Sequence, residues 1–297
     1  MAYLQVIIDE PCSHEPATSC AATDVMVSTD PIRTQIRSGW ERTSSFYAND
    51  YPQVFQRFAV RLIELINLSP GQQILDVGTG TGIVALEAAR RVGASGKVTA
   101  IDFAGGMLAR ARAACKSSRP EVLLARMDAE RLGFPDDSFD RVTCAFSLFQ
   151  FVDMTAALEG MLRALKPGGM LGLSNWGTGF FTPVAAMQRD LFRQFHIRPL
   201  LANPLTFNLE GMQALLEAAG FMSIQIICEH VPLWFESPEG VWEWNLAMGP
   251  FTAMLESQLS SDERQELESR YIEMLEPLMT SGGVACTFHP LYALASK

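Results

Sequence analysis

Between Ile74 and Val84 the chain reads ILDVGTGTGIV, an acid two residues ahead of three glycines on alternate positions. An apolar run, glycines and then a helical pattern describe a strand that turns sharply into a helix. Gly78, Gly80 and Gly82 let a ligand approach the backbone, and the helix that follows offers N–H groups with no intrahelical partner. Such a turn reads as a nucleotide site. A dinucleotide fingerprint, G-x-G-x-x-G, needs its third glycine where this chain has Ile83. Asp76 would also repel a pyrophosphate, so a nicotinamide-dependent dehydrogenase is the weaker reading.

A phosphate-free nucleoside that carries positive charge suits these residues better. S-adenosylmethionine has a cationic sulfonium and an ammonium, and an acid beside the turn attracts both, directly or through water. Asp102 ends the segment KVTAID, twenty residues beyond Gly82 (102 − 82). There a carboxylate accepts hydrogen bonds from both ribose hydroxyls, each charge-assisted bond being worth roughly 1.5–3 kcal/mol.

Elements that can hold these residues follow in order. Val54, Phe55, Phe58, Ala59, Leu62, Ile63 and Ile66 have the spacing of an amphipathic helix, which Pro70-Gly71 ends. Strand and helix signals then alternate: GIVALEAARRV helical, KVTAID strand, GGMLARARAACK helical, VLLARMD strand, RVTCAFSL strand, TAALEGMLRALK helical, MLGLSNW strand. Near-continuous apolar strands alternating with helices predict an α/β fold with a doubly wound, mostly parallel sheet covered on both faces.

Composition narrows the partners. The 297 residues carry a formal net charge of −10, which argues against a sequence-independent nucleic-acid binder. The six cysteines are scattered without a CxxC pair, which fits a reducing, cytoplasmic setting. No basic n-region or cleavage pattern marks the start as a signal peptide. The uncharged stretch Pro167 to Gln188 holds too many Gly, Pro, Ser, Asn and Thr residues for a membrane helix. Cys12, His14 and Cys20 fall short of the four ligands of a structural zinc site, and no metal requirement is expected.

Four segments in order, ILDVGTGTG, TAIDFAGGMLARAR, MDAERLGFPDDSFDRV and LRALKPGGMLGLS, resemble the class I S-adenosylmethionine-dependent methyltransferases. The likeness is strongest to the branch similar to ubiquinone and menaquinone biosynthesis methyltransferases, and covers Trp40 to Trp176. It implies a seven-stranded Rossmann-like core. It also implies that Asp76, Gly78, Thr79 and Gly80 hold the methionine part, Asp102 the ribose, and Phe103 with Met107 the adenine faces. Asp128 would accept from the adenine amino group, the Ala129 amide would meet a ring nitrogen, and Ser147 would approach the methionine end. Trp40, Tyr47 and Tyr51 belong to a segment that relatives fold over the cofactor.

The expected layout is an N-terminal arm over 1–30, a cofactor-binding core over 31–176, a first cap insertion over 177–207 and a core helix and strand over 208–231. A second, helical cap insertion over 232–282 and a last core strand over 283–297 complete it. In that strand Pro290 is best tolerated near an edge or bulge. His196 and His289 are the candidate general bases, should transfer go to oxygen. The segment SLFQFVD lacks the Asp/Asn-Pro-Pro-aromatic run of amino-group DNA methylases, so the acceptor is read as a small, largely apolar molecule of secondary metabolism. Oxygen, nitrogen and carbon stay open as acceptor atoms. The expected lid carries Phe180, Phe181, Phe192, Phe195, Leu200 and Leu201 in its first part, and Trp234, Phe235, Trp242, Trp244, Met248, Phe251 and Met254 in its second. A cyclase of the same fold without methyl transfer is the alternative. Oligomeric state stays open, a homodimer included.

Overall fold

The computed structural model of the chain describes residues 31–44, 52–198, 206–247 and 251–297. The arm over 1–30, and with it Cys12, His14 and Cys20, lies outside the described residues, as do Tyr47, Tyr51, Leu200, Leu201 and Met248.

The first half runs α1 (Pro31–Thr43), α2 (Pro52–Ile66), β1 (Gln73–Val77), α3 (Ile83–Val92), β2 (Lys97–Asp102), α4 (Gly105–Cys115), β3 (Val122–Arg126) and β4 (Phe139–Ala145). Then come α5 (Met154–Ala164), β5 (Leu165–Gly177), α6 (Val184–Gln194), β6 (Thr206–Phe207), α7 (Leu209–Ala218) and β7 (Met222–Cys228). The end of the chain adds β8 (Val231–Phe235), α8 (Pro238–Ala247), α9 (Phe251–Gln258), α10 (Ser261–Leu275), β9 (Met279–Thr280), β10 (Gly283–Phe288) and β11 (Pro290–Ser296).

Seven strands form one sheet in the order β3-β2-β1-β4-β5-β11-β7, to which the short β6 adds beside β5. Neighbours run parallel except around β11, which is antiparallel to β5 and β7. From β1 the chain winds outward to β2 and β3, then restarts at β4 and winds the other way. Right-handed crossovers therefore place α3 and α5 on opposite faces, and the reversal between β1 and β4 opens a crevice at the carboxyl ends of those strands. The glycine turn sits at that crevice. Burial on both faces explains why β1 and β2 read as nearly continuous apolar runs.

Three differences from the sequence reading concern the end of the chain. The segment 283–297, expected as one core strand, is two: β10 leaves the core and β11 enters it. Pro290 explains the break, because it has no N–H for the ladder and restricts the backbone of His289 before it. Pro290 is also not near a sheet edge. It is the first residue of an interior strand, opposite Trp176, a position where a missing donor is tolerated. The second cap insertion is not purely helical either, since β8 pairs with β10, and β10 with β9, in a small antiparallel sheet beside α8, α9 and α10.

Cap and core share one apolar interior. Leu171 and Leu173 of β5, Trp242 and Trp244 of α8, Tyr271 of α10 and Phe288 of β10 belong to the same buried cluster. Within the cap, α10 starts on a capping box in which Ser260 and Glu263 satisfy each other's backbone N–H groups. Among the described residues no helix is long and apolar enough to cross a membrane.

Candidate functional site

The turn after β1 is left-handed at all three glycines, with φ of +67° at Gly78, +56° at Gly80 and +85° at Gly82. Each has a different neighbour. A Cβ on Gly78 would fall 2.6 Å from Ser147 Oγ, so that glycine lets the loop after β4 close against the turn. A Cβ on Gly82 would meet Ala111 and Cys115 of α4 at 3.2 Å, so that one serves helix packing. Among the described residues nothing lies within 4 Å of the place a Cβ would take on Gly80. Of the three, Gly80 alone borders open space, the approach a ligand would need.

Two buried carboxylates back this turn. Asp76, 1% exposed, accepts from Thr79 Oγ1 at 2.6 Å on one oxygen and from Thr143 Oγ1 at 2.7 Å on the other. Burial pushes it up to about 6, the two hydroxyls pull against that, and the charge of Asp102 adds to the rise. Asp102 accepts from the N–H groups of Gly80 and Ala104, each at 2.9 Å. It too is pushed up to about 6, chiefly by burial, with Glu41 contributing. Among the described residues neither carboxylate has a Lys, Arg or His partner; every donor that reaches them is neutral.

The remaining residues read from the sequence are distributed around this pair. Phe103 is half-buried just after Asp102, while Met107 is buried within α4. Asp128 caps a short 3-10 turn over Ala129–Arg131 by accepting from Glu130 N at 3.0 Å through Oδ1. Its Oδ2 makes no hydrogen bond among the described residues. Ser147 Oγ reaches the carbonyls of Gly78 and Ala145, both at 3.0 Å. Trp40 lies half-buried on α1.

Glu41, which sequence reasoning missed, reaches from α1 to accept from Gly105 N at 2.7 Å and Gly106 N at 2.6 Å. Those are the first amides of α4, whose own N-cap residue, Ala104, has no side chain to offer. The pair GG at a helix start was a legible signal of open amides; their partner, 64 residues away, was not. Arg33 of α1 also pairs with the nearly buried Glu130, which accepts from Val152 N at 2.8 Å. Thr143 was likewise missed, although a hydroxyl within the apolar run RVTCAF is the kind of exception that signals a buried partner.

The two histidines are not brought to the turn. His196 is exposed at the end of α6, with φ of +55°. His289 is the single residue linking β10 to β11, its ring 4.5 Å from that of His230 and packed on Gly179. Burial and His230 lower its pKa. Among the described residues neither histidine hydrogen-bonds to the turn.

An aromatic path leads from the crevice into the cap instead. Phe146, held at φ +50° immediately before Ser147, lies 4.2 Å from the Trp176 ring at the end of β5. Trp176 stacks on Phe180 at 4.4 Å, and Phe181 packs 5.1 Å from Trp244. Among the described residues the buried indole N–H groups of Trp242 and Trp244 have no hydrogen-bond partner, and beside them runs a polar chain in which Asn245 donates to Tyr271, and Tyr271 to Gln188. The arrangement joins an anionic, glycine-lined crevice to an aromatic wall.

Comparison with known proteins bears on the family and the fold. A family described as a methyltransferase domain matches residues 74–169. The chain is 34% identical to a ubiquinone/menaquinone biosynthesis C-methyltransferase of Geobacter sulfurreducens, over 57% of this chain and 72% of that one. It is 37% identical to its namesake from Geotalea daltonii over 49% of this chain, and spans only 60% of that relative's length. The nocamycin O-methyltransferase of Saccharothrix syringae is 28% identical over 85% of this chain and 95% of its own. Among solved structures, phosphoethanolamine N-methyltransferase 2 of Haemonchus contortus, bound to S-adenosylhomocysteine, shares the fold with a TM-score of 0.56 at 20% identity, covering 88% of this chain and 60% of that one. The [4+2]-cyclase SpnF does so with a TM-score of 0.51 at 21% identity, covering 84% of each.

Proposed function

Because the chain belongs to the class I S-adenosylmethionine-dependent methyltransferases, we propose that it transfers a methyl group to a small, largely apolar acceptor held between the glycine turn and the aromatic cap. The observation that carries this reading is the pair Asp76 and Asp102, two buried carboxylates with only neutral donors beside the open face of Gly80. That donor set fits a cationic nucleoside and disfavours a phosphate. Bound there, S-adenosylmethionine supplies an electrophilic methyl group on a sulfonium.

The chain's own residues bind and orient. Asp102 faces the ribose, Gly78, Thr79 and Gly80 line the methionine end with Ser147 behind Gly78, and Asp76 lends its charge through the turn, not by contact. Phe103 and Met107 flank the adenine, Asp128 offers its free oxygen to the amino group beside the Ala129 amide, and Trp40 belongs to the covering helix. Phe146, Trp176 and Phe180 exclude water from the acceptor side, where alignment rather than a strong base supplies most of the rate, up to roughly 7–11 kcal/mol.

The acceptor atom we favour is oxygen. The C-methyltransferase alignments span from 49% to 69% of this chain, whereas that with the nocamycin O-methyltransferase covers 85% and so reaches further into the cap. His289, at the junction of cap and core, is then the nearer of the two candidate bases to the end of β5, since its carbonyl accepts from Gly177 N at 2.6 Å. A cytoplasmic setting and a place in secondary metabolism belong to the same proposal. A cyclisation without methyl transfer is the second reading, supported only by the shared fold with a cyclase.

Incubation with labelled cofactor and an extract of the native source, followed by mass identification of the product, tests the proposal. We expect a labelled lipophilic small molecule. Label confined to protein or nucleic acid would overturn the acceptor class, and an unlabelled product of unchanged mass would favour cyclisation.

A further inference from the structure

We propose that Thr143, in mid-sheet on β4, is a positioning residue for the cofactor: its hydroxyl holds the Asp76 carboxylate as the buried negative charge that tells S-adenosylmethionine from S-adenosylhomocysteine. The inference rests on the cofactor reading above and goes beyond it, because Thr143 touches no part of the open crevice. It is fully buried, faces Asp76 across the β1–β4 pairing, and donates to Oδ1 at 2.7 Å.

Geometry makes this contact consequential. Thr79 takes the other oxygen, so the two hydroxyls are the side-chain donors to Asp76 among the described residues, with the Ala85 amide as a weaker backbone support. The other titratable groups that act with Asp76 offer no positive charge. Asp102 on β2 opposes its ionisation, and the thiols Cys115 on α4 and Cys144 on β4 are pushed up and so stay neutral. An ion buried without a counter-charge is costly, and it either takes a proton or finds a cation. Near neutrality the cofactor brings two cations, its sulfonium and its ammonium, and the thioether product keeps only the ammonium. The same charge that helps the cofactor in then holds the product less strongly.

Burial already brings Asp76 to about 6, and loss of one hydroxyl raises it further. Thr143→Val keeps the shape and removes the donor; Thr143→Ser keeps the donor and removes a methyl. Affinities of the free protein for S-adenosylmethionine and S-adenosylhomocysteine, measured by calorimetry from about pH 5 to about pH 7.5, separate the cases. In the parent protein, affinity for the sulfonium compound should fall up to about tenfold per pH unit below about pH 6, while that for the thioether, which keeps only the ammonium, should fall less steeply. Thr143→Val should move this fall upward by about one pH unit, and Thr143→Ser should restore it. Thr79→Val, which strips the other oxygen, should shift it the same way and serves if the buried valine prevents folding. One common midpoint in all four proteins, or equal pH dependence for the two compounds, overturns the inference and leaves the cofactor reading intact. Binding of neither compound by the parent protein overturns both.

Discussion

Asp76 and Asp102 are lifted to about 6 from an ordinary carboxylate value near 3.9, and that shift links cofactor affinity to stability. Between about pH 4 and about pH 6 the folded protein holds protons that the unfolded chain has lost, so stability falls as pH rises through that window and levels off above it. Asp76→Asn removes one such cost. Urea unfolding of the free protein at pH ~7.5 should show the variant more stable by about 1–3 kcal/mol, with a flatter pH slope and weaker cofactor binding. An unchanged slope would mean that Asp76 is ionised in the fold at no cost. Asp102→Ala has a wider effect, because Asp102 also holds the amides of Gly80 and Ala104. Calorimetry should find cofactor affinity lower by about 1.5–3 kcal/mol, and an unaltered value would remove Asp102 from the site. Gly80→Val should do more harm, since a branched side chain at φ +56° is strained and projects into the open space.

At the scale of elements, α1 is fastened at both ends. Arg33 pairs with Glu130 near one end, and near the other Glu41 occupies the amides that begin α4. Ile36 is buried between them. A helix without an N-cap side chain of its own thus borrows one from another helix, and the carboxylate sits where the positive end of the helix dipole favours it. Glu41→Ala should cost about 1 kcal/mol, the usual loss of a cap. Hydrogen exchange should quicken at Gly105 and Gly106 and along α1, and exchange unchanged at those amides would show that the contact is idle. Because Glu41 also opposes the ionisation of Asp102, the variant should ease that group back toward the ordinary range.

For the molecule as a whole, the interior that runs from β5 into α8, α10 and β10 leaves no boundary at which the cap could unfold alone. Calorimetric unfolding of the intact chain should show one cooperative transition, and two resolved transitions would contradict a shared core. Two chain crossings, at Glu229–His230 and at His289, tie the small sheet to the large one, and Thr182, beyond the end of β5, bridges to Thr287 of β10. The cap is a wall of the site, built on the same core as the sheet, so substitutions such as Trp244→Ala should lower stability as well as acceptor binding.

The order of strands and helices through Trp176, the glycine turn and the two acids were legible in the chain because each depends on local pattern: period, turn chemistry and an acid at a strand end. Asp128 was readable as a ligand only through the family resemblance, and the structure places one of its oxygens in a cap while the other makes no hydrogen bond among the described residues. What reaches across the fold was not legible. The partners of Asp76, of the α4 amides and of Glu130 lie 67, 64 and 97 residues away, and no periodicity records such distances. The division of 283–297 between two sheets was hidden for a related reason: VACTF and LYALAS are both apolar enough for a strand, and only pairing with β8 or with β5 and β7 decides which sheet takes which. Sequence alone determined that an acidic, glycine-lined crevice would form at the end of a parallel sheet. Tertiary structure decided that its acids would be buried without a cation among the described residues, because their burial and the neutrality of the donors around them follow from which elements meet there.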